Sequence, residues 1–133
     1  MKYLLDTNIC IYIANEHPKS VRARFERTKS GEVGISVVTL AELAFGAAKS
    51  GRPELNRRRI EVFRSQLTVL DLTSEVAQIY GALRAELERR GTLIGPHDLL
   101  IAAQALQEKL VLVTNNVREF KRIPGLKIEN WVD

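Results

Sequence analysis

The sequence predicts an α/β protein built on a parallel, doubly wound sheet. Three observations carry that prediction. Tyr3-Leu4-Leu5, Val33-Gly34-Ile35-Ser36 and Leu110-Val111-Leu112-Val113 are short, nearly continuous apolar runs, as expected of strands covered on both faces. Helical patterns separate the runs, so strands and helices alternate along the chain. The first run ends in Asp6-Thr7-Asn8 and the last in Thr114-Asn115-Asn116. The carboxyl ends of such strands are where open α/β sheets bind ligands.

Each element has a local reason. After the strand Tyr3 to Leu5, Thr7 and Asn8 suit the N-cap of a helix carrying Ile9, Tyr12 and Ile13. Pro18 opens a second helix to about Thr28, with Val21 and Phe25 as its apolar side and Lys19, Arg22, Arg24 and Arg27 as its basic side. Ser30-Gly31-Glu32 turns the chain into the strand Val33 to Ser36. From Val38 to about Ser50 a helix is apolar nearly all round, so burial on several sides is expected. Gly51-Arg52-Pro53 separates it from a helix running from Glu54 to about Gln66, and the two make a helical hairpin. Thr68 to Leu72 is a third strand. Thr73 or Ser74 starts a long helix to about Arg90, ended by Gly91; Val76, Ile79, Tyr80, Leu83 and Leu87 keep its 3.6-residue period. Pro96 opens another largely apolar helix, the strand Leu110 to Val113 follows, and a short helix carries Glu119 and Phe120. A last strand lies near Lys127 to Glu129, with Trp131 pinning the tail.

The 133 residues suffice for one domain with a core, spanning 1–133, and are too few for two. Hydrophobic residues make up 45% of the chain, an ordinary globular share. The single Cys10 has no partner for an internal disulfide and reads as a small core residue. No apolar run approaches a membrane span, and the N-terminus carries no secretory pattern. A soluble protein of a reducing compartment, the cytoplasm, is expected. The net charge of +4 favours an anionic partner, either nucleic acid or an acidic protein.

Three acids stand out. Asp6 ends a strand. Glu42 shares a helix face with Val38, Ala41 and Phe45, where an ionised carboxylate is costly unless paired or metal-bound. Asp98 opens a buried helix. Each has a plainer reading: Asp6 as a helix cap, Glu42 as a side chain reaching water past a packing gap, Asp98 as a first-turn acid favoured by the helix dipole. Taken together, the positions can converge on the carboxyl edge of one sheet. Three carboxylates in one cleft repel each other, and a hard divalent cation with oxygen ligands would compensate. No Cys/His cluster suggests zinc; His97 beside Asp98 is the one exception to weigh.

Four blocks carry a resemblance. They are Leu4-Leu5-Asp6-Thr7-Asn8; Ser36 to Leu43 with Gly46; Ile94-Gly95-Pro96-His97-Asp98 to Ala102; and Val113-Thr114-Asn115-Asn116 to Phe120. In order and spacing they resemble the blocks of a PIN domain over essentially the whole chain, and they are most similar to the VapC toxins of bacterial VapBC toxin–antitoxin pairs. The resemblance implies a three-layer α/β/α sandwich with a five-stranded parallel sheet. It implies cleavage of structured RNA, tRNA ahead of ribosomal RNA, by an endoribonuclease dependent on Mg²⁺ or Mn²⁺. It also implies a VapB antitoxin as partner and a homodimer within the complex. Asp6, Glu42 and Asp98 match the family's metal-binding acids and are the expected catalytic set. Where the family often has a fourth acid, this chain has Asn116, which puts a full second metal site in doubt, with Glu119 one helical turn away. Asn116 could instead simply cap the short helix after it. Thr7 and Thr114 are candidates for orienting water or phosphate. An antitoxin segment is expected in a groove beside the hairpin Val38 to Gln66, with an Arg or Lys entering the acids. Lys49, Arg52, Arg118 and Lys121 are candidate RNA contacts, and Arg57-Arg58-Arg59 reads as a solvated helix face.

Other classes fit less well. A phospho-acceptor receiver needs an acidic pair near the first strand and an acceptor Asp ending a middle strand; Asp71 lies inside the expected third strand. A phosphatase with an Asp nucleophile wants a second acid where Asn8 stands. A non-catalytic RNA-binding or regulatory module of the same fold is the more serious rival, because Asn116 weakens the site.

Overall fold

The fold is known from a computed structural model that describes residues 1–132; Asp133, the last residue of the expected domain, lies outside the described residues. In chain order the elements are β1 (Tyr3–Leu5), α1 (Thr7–Asn15), α2 (Lys19–Glu26), β2 (Val33–Ser36), α3 (Val37–Ala48), α4 (Pro53–Arg64), β3 (Thr68–Leu70), α5 (Ser74–Arg89), α6 (Pro96–Glu108), β4 (Val111–Val113), α7 (Val117–Phe120) and β5 (Ile128–Glu129). The five strands form one sheet in the order β3-β2-β1-β4-β5, and every neighbouring pair is parallel.

The strands are short, yet they sort their side chains to opposite faces with the two-residue period of a pleat. Tyr3, Leu5 and Ile35 join Ile9, Ile13, Val21, Phe25 and Phe63 in one core, under α1, α2 and α4. Leu4 and Leu112 join Leu87, Leu99, Ile101 and Phe120 in the other, under α5, α6 and α7. Two cores separated by a sheet make the three-layer sandwich that the resemblance implied. Gly91 ends the long helix with φ +69, a conformation that costs a glycine nothing. Trp131 is buried and meets the Tyr3 ring edge-on at 5.3 Å, which ties the tail to β1 as expected.

From β1 the chain moves outward to β2 and β3, then crosses back to place β4 on the other side of β1. The reversal lies between β1 and β4, and the crevice outside their carboxyl ends is the switch point where such sheets bind ligands. Asp6 leaves β1 there, and its N–H donates to Val113 O of β4 at 2.9 Å.

Three expectations need correction. The cap of α1 is Asp6 itself, one residue before Thr7 and two before Asn8. The third strand stops at Leu70 and lies at the sheet edge, so Asp71 follows an outer strand rather than lying inside one. In α3 only Val38, Thr39 and Ala47 are buried, while Ala41, Ala44 and Phe45 are exposed, Phe45 by 64%. Part of its apolar surface is therefore open to solvent. No helix among the described residues is long and apolar enough to cross a membrane.

Candidate active site

Asp6 is the anchor of the site. It is 4% exposed, and both of its oxygens are engaged. Oδ1 accepts from the N–H of Thr7 at 2.7 Å, the cap of α1. Oδ2 accepts from the hydroxyl of Thr114 at 2.8 Å. Thr114 is fully buried just past β4, and its Oγ1 accepts in turn from the N–H of Asn116 at 2.9 Å. A chain of hydrogen bonds thus crosses the switch point, from the loop after β4 to the carboxylate after β1. Burial pushes the Asp6 carboxyl above its ordinary 3.8; the bonds from Thr114 and Thr7 pull it back, and the Glu42 charge adds to the rise.

Thr7 carries the site on to α3. Its hydroxyl donates to Oε1 of Glu42 at 3.1 Å. The Glu42 side chain is 33% exposed, and its Oε2 lies 3.9 Å from Nδ1 of His97 in the first turn of α6. Glu42 therefore sits at the mouth of the cleft rather than on a fully buried face, as the plainer reading of its position held; Ala41 and Phe45 beside it are open to solvent. Its orientation toward Thr7 is what makes it a partner of Asp6.

Asp98 completes the set from the opposite layer. It follows Gly95 and Pro96 in the first turn of α6 and is half-buried. Burial first, and then the charges of Asp6, Glu42 and Glu119, raise its carboxyl from 3.8 to about 6, with His97 acting against them. The charges of the other three acids are thus near enough to be felt at Asp98. Asp6 and Glu42 are joined through Thr7, and Asp98 is linked to them, and to Glu119 of α7, by charge alone. Asn116 occupies the N-cap position of α7, but its side chain makes no capping hydrogen bond. Capping does not account for that side chain.

The donor set suits a hard cation, because it is made of carboxylate oxygens with an amide nearby and without sulfur. Two observations bear on the fit. The charge on Asp98 is held in the cleft at a cost, which a cation would relieve. Among the described residues, no three His, Cys, Asp or Glu side chains stand together as a ready-made metal group. The first suits a hard cation; the second means that the acids, as placed, do not by themselves make a coordination shell, so an ion there would meet some of them through water.

One contact of the site is invisible in the sequence. His97 contacts Glu42 across the cleft, a link between α3 and α6 that its position beside Asp98 did not reveal. Arg57, Arg58 and Arg59 are exposed, as a solvated helix face requires, and Arg59 also lines, with Glu42, Asn56 and Cys10, a cavity of about 300 Å³ between α1, α3 and α4. That cavity lies beside the hairpin of α3 and α4. Of the basic residues proposed as RNA contacts, Lys49 lies over the Phe45 ring at 4.9 Å. Lys49, Arg52, Arg118 and Lys121 are exposed, and among the described residues none pairs with the acids.

Comparison with known proteins gives the same picture. Residues 3–126 match the model of the PIN domain family. The chain is 47% identical over 132 residues to ribonuclease VapC2 of Rickettsia felis, covering 98% of each protein. It is 48% identical over 131 residues to the tRNA(fMet)-specific endonuclease VapC of Salmonella typhimurium, again with 98% of each covered. In structure it is similar to the DNA-bound VapBC of Salmonella typhimurium, with TM-score 0.94, 48% identity and 99% of each chain covered. VapBC2 of Rickettsia felis, bound to a DNA fragment from its promoter, matches with TM-score 0.89 and 43% identity over 99% of this chain and 100% of that one. The cleft at the β1/β4 switch point, the four sequence blocks and this similarity over the full length agree: the chain belongs to the PIN-domain family, among its VapC proteins.

Proposed function

We propose that this protein is a metal-dependent endoribonuclease toxin. Its catalytic acids are Asp6, Glu42 and Asp98, its substrate is a structured RNA of the tRNA class, and a VapB-type antitoxin restrains it in the cytoplasm. The 133 residues act as a single PIN domain, with a homodimer as the unit within the toxin–antitoxin complex. The observation that carries the reading is the linked set at the switch point: buried Asp6, joined through Thr7 to Glu42 and coupled by charge to Asp98. The VapC relatives bear the names of ribonucleases, and the solved neighbours are toxin–antitoxin complexes.

Asp6, Glu42 and Asp98 would hold Mg²⁺ or Mn²⁺, directly or through water. When bound, such an ion would supply positive charge for the phosphate and activate the attacking water. This chain's own residues do the rest. Thr114 and the Thr7 N–H fix both oxygens of Asp6, so the carboxylate cannot rotate, and each oxygen keeps a lone pair to offer. The Thr7 hydroxyl sets the orientation of Glu42. Asp98, with its carboxyl raised to about 6, is ionised at neutral pH and becomes protonated as the solution turns mildly acidic. No protein nucleophile is required, and attack by water in line with the leaving oxygen leaves a 5′-phosphate and a 3′-hydroxyl.

One rival has an observation behind it. A non-catalytic RNA-binding or regulatory module is favoured by Asn116 standing where the family often has a fourth acid. Purified protein assayed on tRNA with Mg²⁺ or Mn²⁺ separates the two. Cleavage that Asp6→Asn, Glu42→Gln or Asp98→Asn each abolishes supports the catalytic reading. Near-wild-type cleavage by two of the three variants would overturn the assignment of these acids.

A further inference from the structure

The arginines of α4 divide into two kinds. Arg57 pairs with Glu54 at 2.5 Å and Arg64 with Glu61 at 3.8 Å, along the helix surface. Arg58 and Arg59 have no carboxylate within ion-pair distance among the described residues. Both line concave surface. Arg59 shares the cavity of about 300 Å³ that contains Glu42. Arg58, Arg59 and Arg22 line a second cavity, also about 300 Å³. Ala14, Arg59 and Phe63 line both cavities, so the two adjoin as one trough, with Arg58, Arg59 and Arg22 along one part and mainly apolar side chains beside Glu42. It starts at the acid mouth, passes the small side chain of Ala14 and continues between α2 and α4. Arg22 is already held by Glu26 at 2.8 Å, which leaves Arg58 and Arg59 as its uncompensated cations.

We infer that Arg58 and Arg59 are substrate-binding residues and that the trough carries the phosphodiester backbone of an RNA strand toward Glu42. The inference rests on the ribonuclease reading above and adds to it the path of the substrate. A cleft with four acids repels a polyanion unless cations nearby outweigh them. A guanidinium without a carboxylate partner presents its donor fork to phosphate, and two of them on consecutive residues offer anion sites along the trough rather than at a single point. A nucleic-acid backbone supplies an anion at every nucleotide, whereas a peptide would need acidic side chains at matching positions. The same trough reaches Glu42, so an antitoxin segment lying in it would exclude RNA from both its phosphate-binding wall and its Glu42 end.

The test uses the full-length protein with tRNA as probe, in two measurements: equilibrium binding in EDTA and cleavage kinetics in Mg²⁺. Arg58→Ala/Arg59→Ala should weaken binding and raise KM by about tenfold or more at moderate salt, with kcat at saturating RNA within about twofold of wild type. The slope of log affinity against log salt should flatten by roughly 0.7 to 0.9 for each arginine removed. Arg59→Lys should recover part of the affinity, because the charge remains. Arg57→Ala, whose guanidinium is already paired, should leave both measurements near wild type. Binding, KM and salt slope unchanged in the double variant would overturn the inference. So would unchanged RNA kinetics with lost affinity for the antitoxin, which would give the trough to the protein partner alone. If the wild type does not cleave tRNA at all, the ribonuclease reading fails, and the binding measurement in EDTA still decides the role of the arginines.

Discussion

Replacing Asp98 by Asn should stabilise the metal-free protein at neutral pH. The Asp98 carboxyl is raised from 3.8 to about 6 by burial first and by Asp6, Glu42 and Glu119 next. A rise of roughly two pH units corresponds to about 3 kcal/mol of strain on the charged form, at ~1.4 kcal/mol per unit. The side chain is half-buried and solvent screens part of this, so ~1–2 kcal/mol is the reasonable release. Asn also forfeits the favourable placement of an acid in the first turn of α6, worth about 0.3–1 kcal/mol. The net gain is therefore ~1 kcal/mol, or about 3 °C in Tm for a chain of this size. The sign follows from linkage. The folded state holds its proton more tightly than the unfolded one, so the penalty is complete above about pH 6. It is relieved as the pH falls toward 4, where the unfolded carboxyl also becomes protonated and the gain ends. Thermal melts of both proteins in EDTA between pH 4 and 8 should show the Asn variant ahead at pH 7.5 and the two converging near pH 4. Saturating Mg²⁺ should reverse the order at pH 7.5, because only the wild type keeps the full acid set. An Asn variant that melts below wild type by the same margin at every pH would make Asp98 a helix-end residue and refute the argument.

Three further outcomes are expected. Thr114→Val removes the buried donor to Asp6 and leaves one oxygen of a carboxylate unsatisfied; it should cost about 1–3 kcal/mol in urea melts and depress cleavage, whereas Thr114→Ser should restore both. Asn116→Asp should lower the Mg²⁺ concentration for half-maximal cleavage and Glu119→Gln should raise it, each with little change in the saturated rate; titrations that coincide with wild type would assign neither residue to metal binding. Cleavage at limiting Mg²⁺ should decline as the pH falls through about 6, where protons compete for Asp98, and saturating metal should shift the decline to lower pH.

Much of this was legible in the sequence because the signals are local. The apolar run at Tyr3 ends in Asp6 within a few residues, and the helix opened by Pro96 places Asp98 in its first turn by chain geometry alone. The cap of α1 was displaced by one residue because Asp6, Thr7 and Asn8 are all competent caps, and only the backbone decides among them. What joins the site is non-local. The bond between Thr114 and Asp6 spans 108 residues and exists because β1 and β4 are neighbours, a pairing that apolar runs do not specify. The surroundings of Glu42 depend on which side of α3 is left uncovered, so its face looked more buried than it is. The run Arg57-Arg58-Arg59 reads as one charged surface, yet a helix turns about 100° per residue, and the three side chains meet different surroundings.

The central claim is that Asp6, Glu42 and Asp98 act together as a metal-dependent cutting site for RNA. End-group analysis of tRNA fragments tests it most directly, using purified wild type and Asp6→Asn with Mg²⁺ and with EDTA. Fragments should bear 5′-phosphate and 3′-hydroxyl ends, from the wild type alone and only with Mg²⁺. Cleavage that persists in EDTA or in Asp6→Asn, or fragments ending in a 2′,3′-cyclic phosphate, would contradict it.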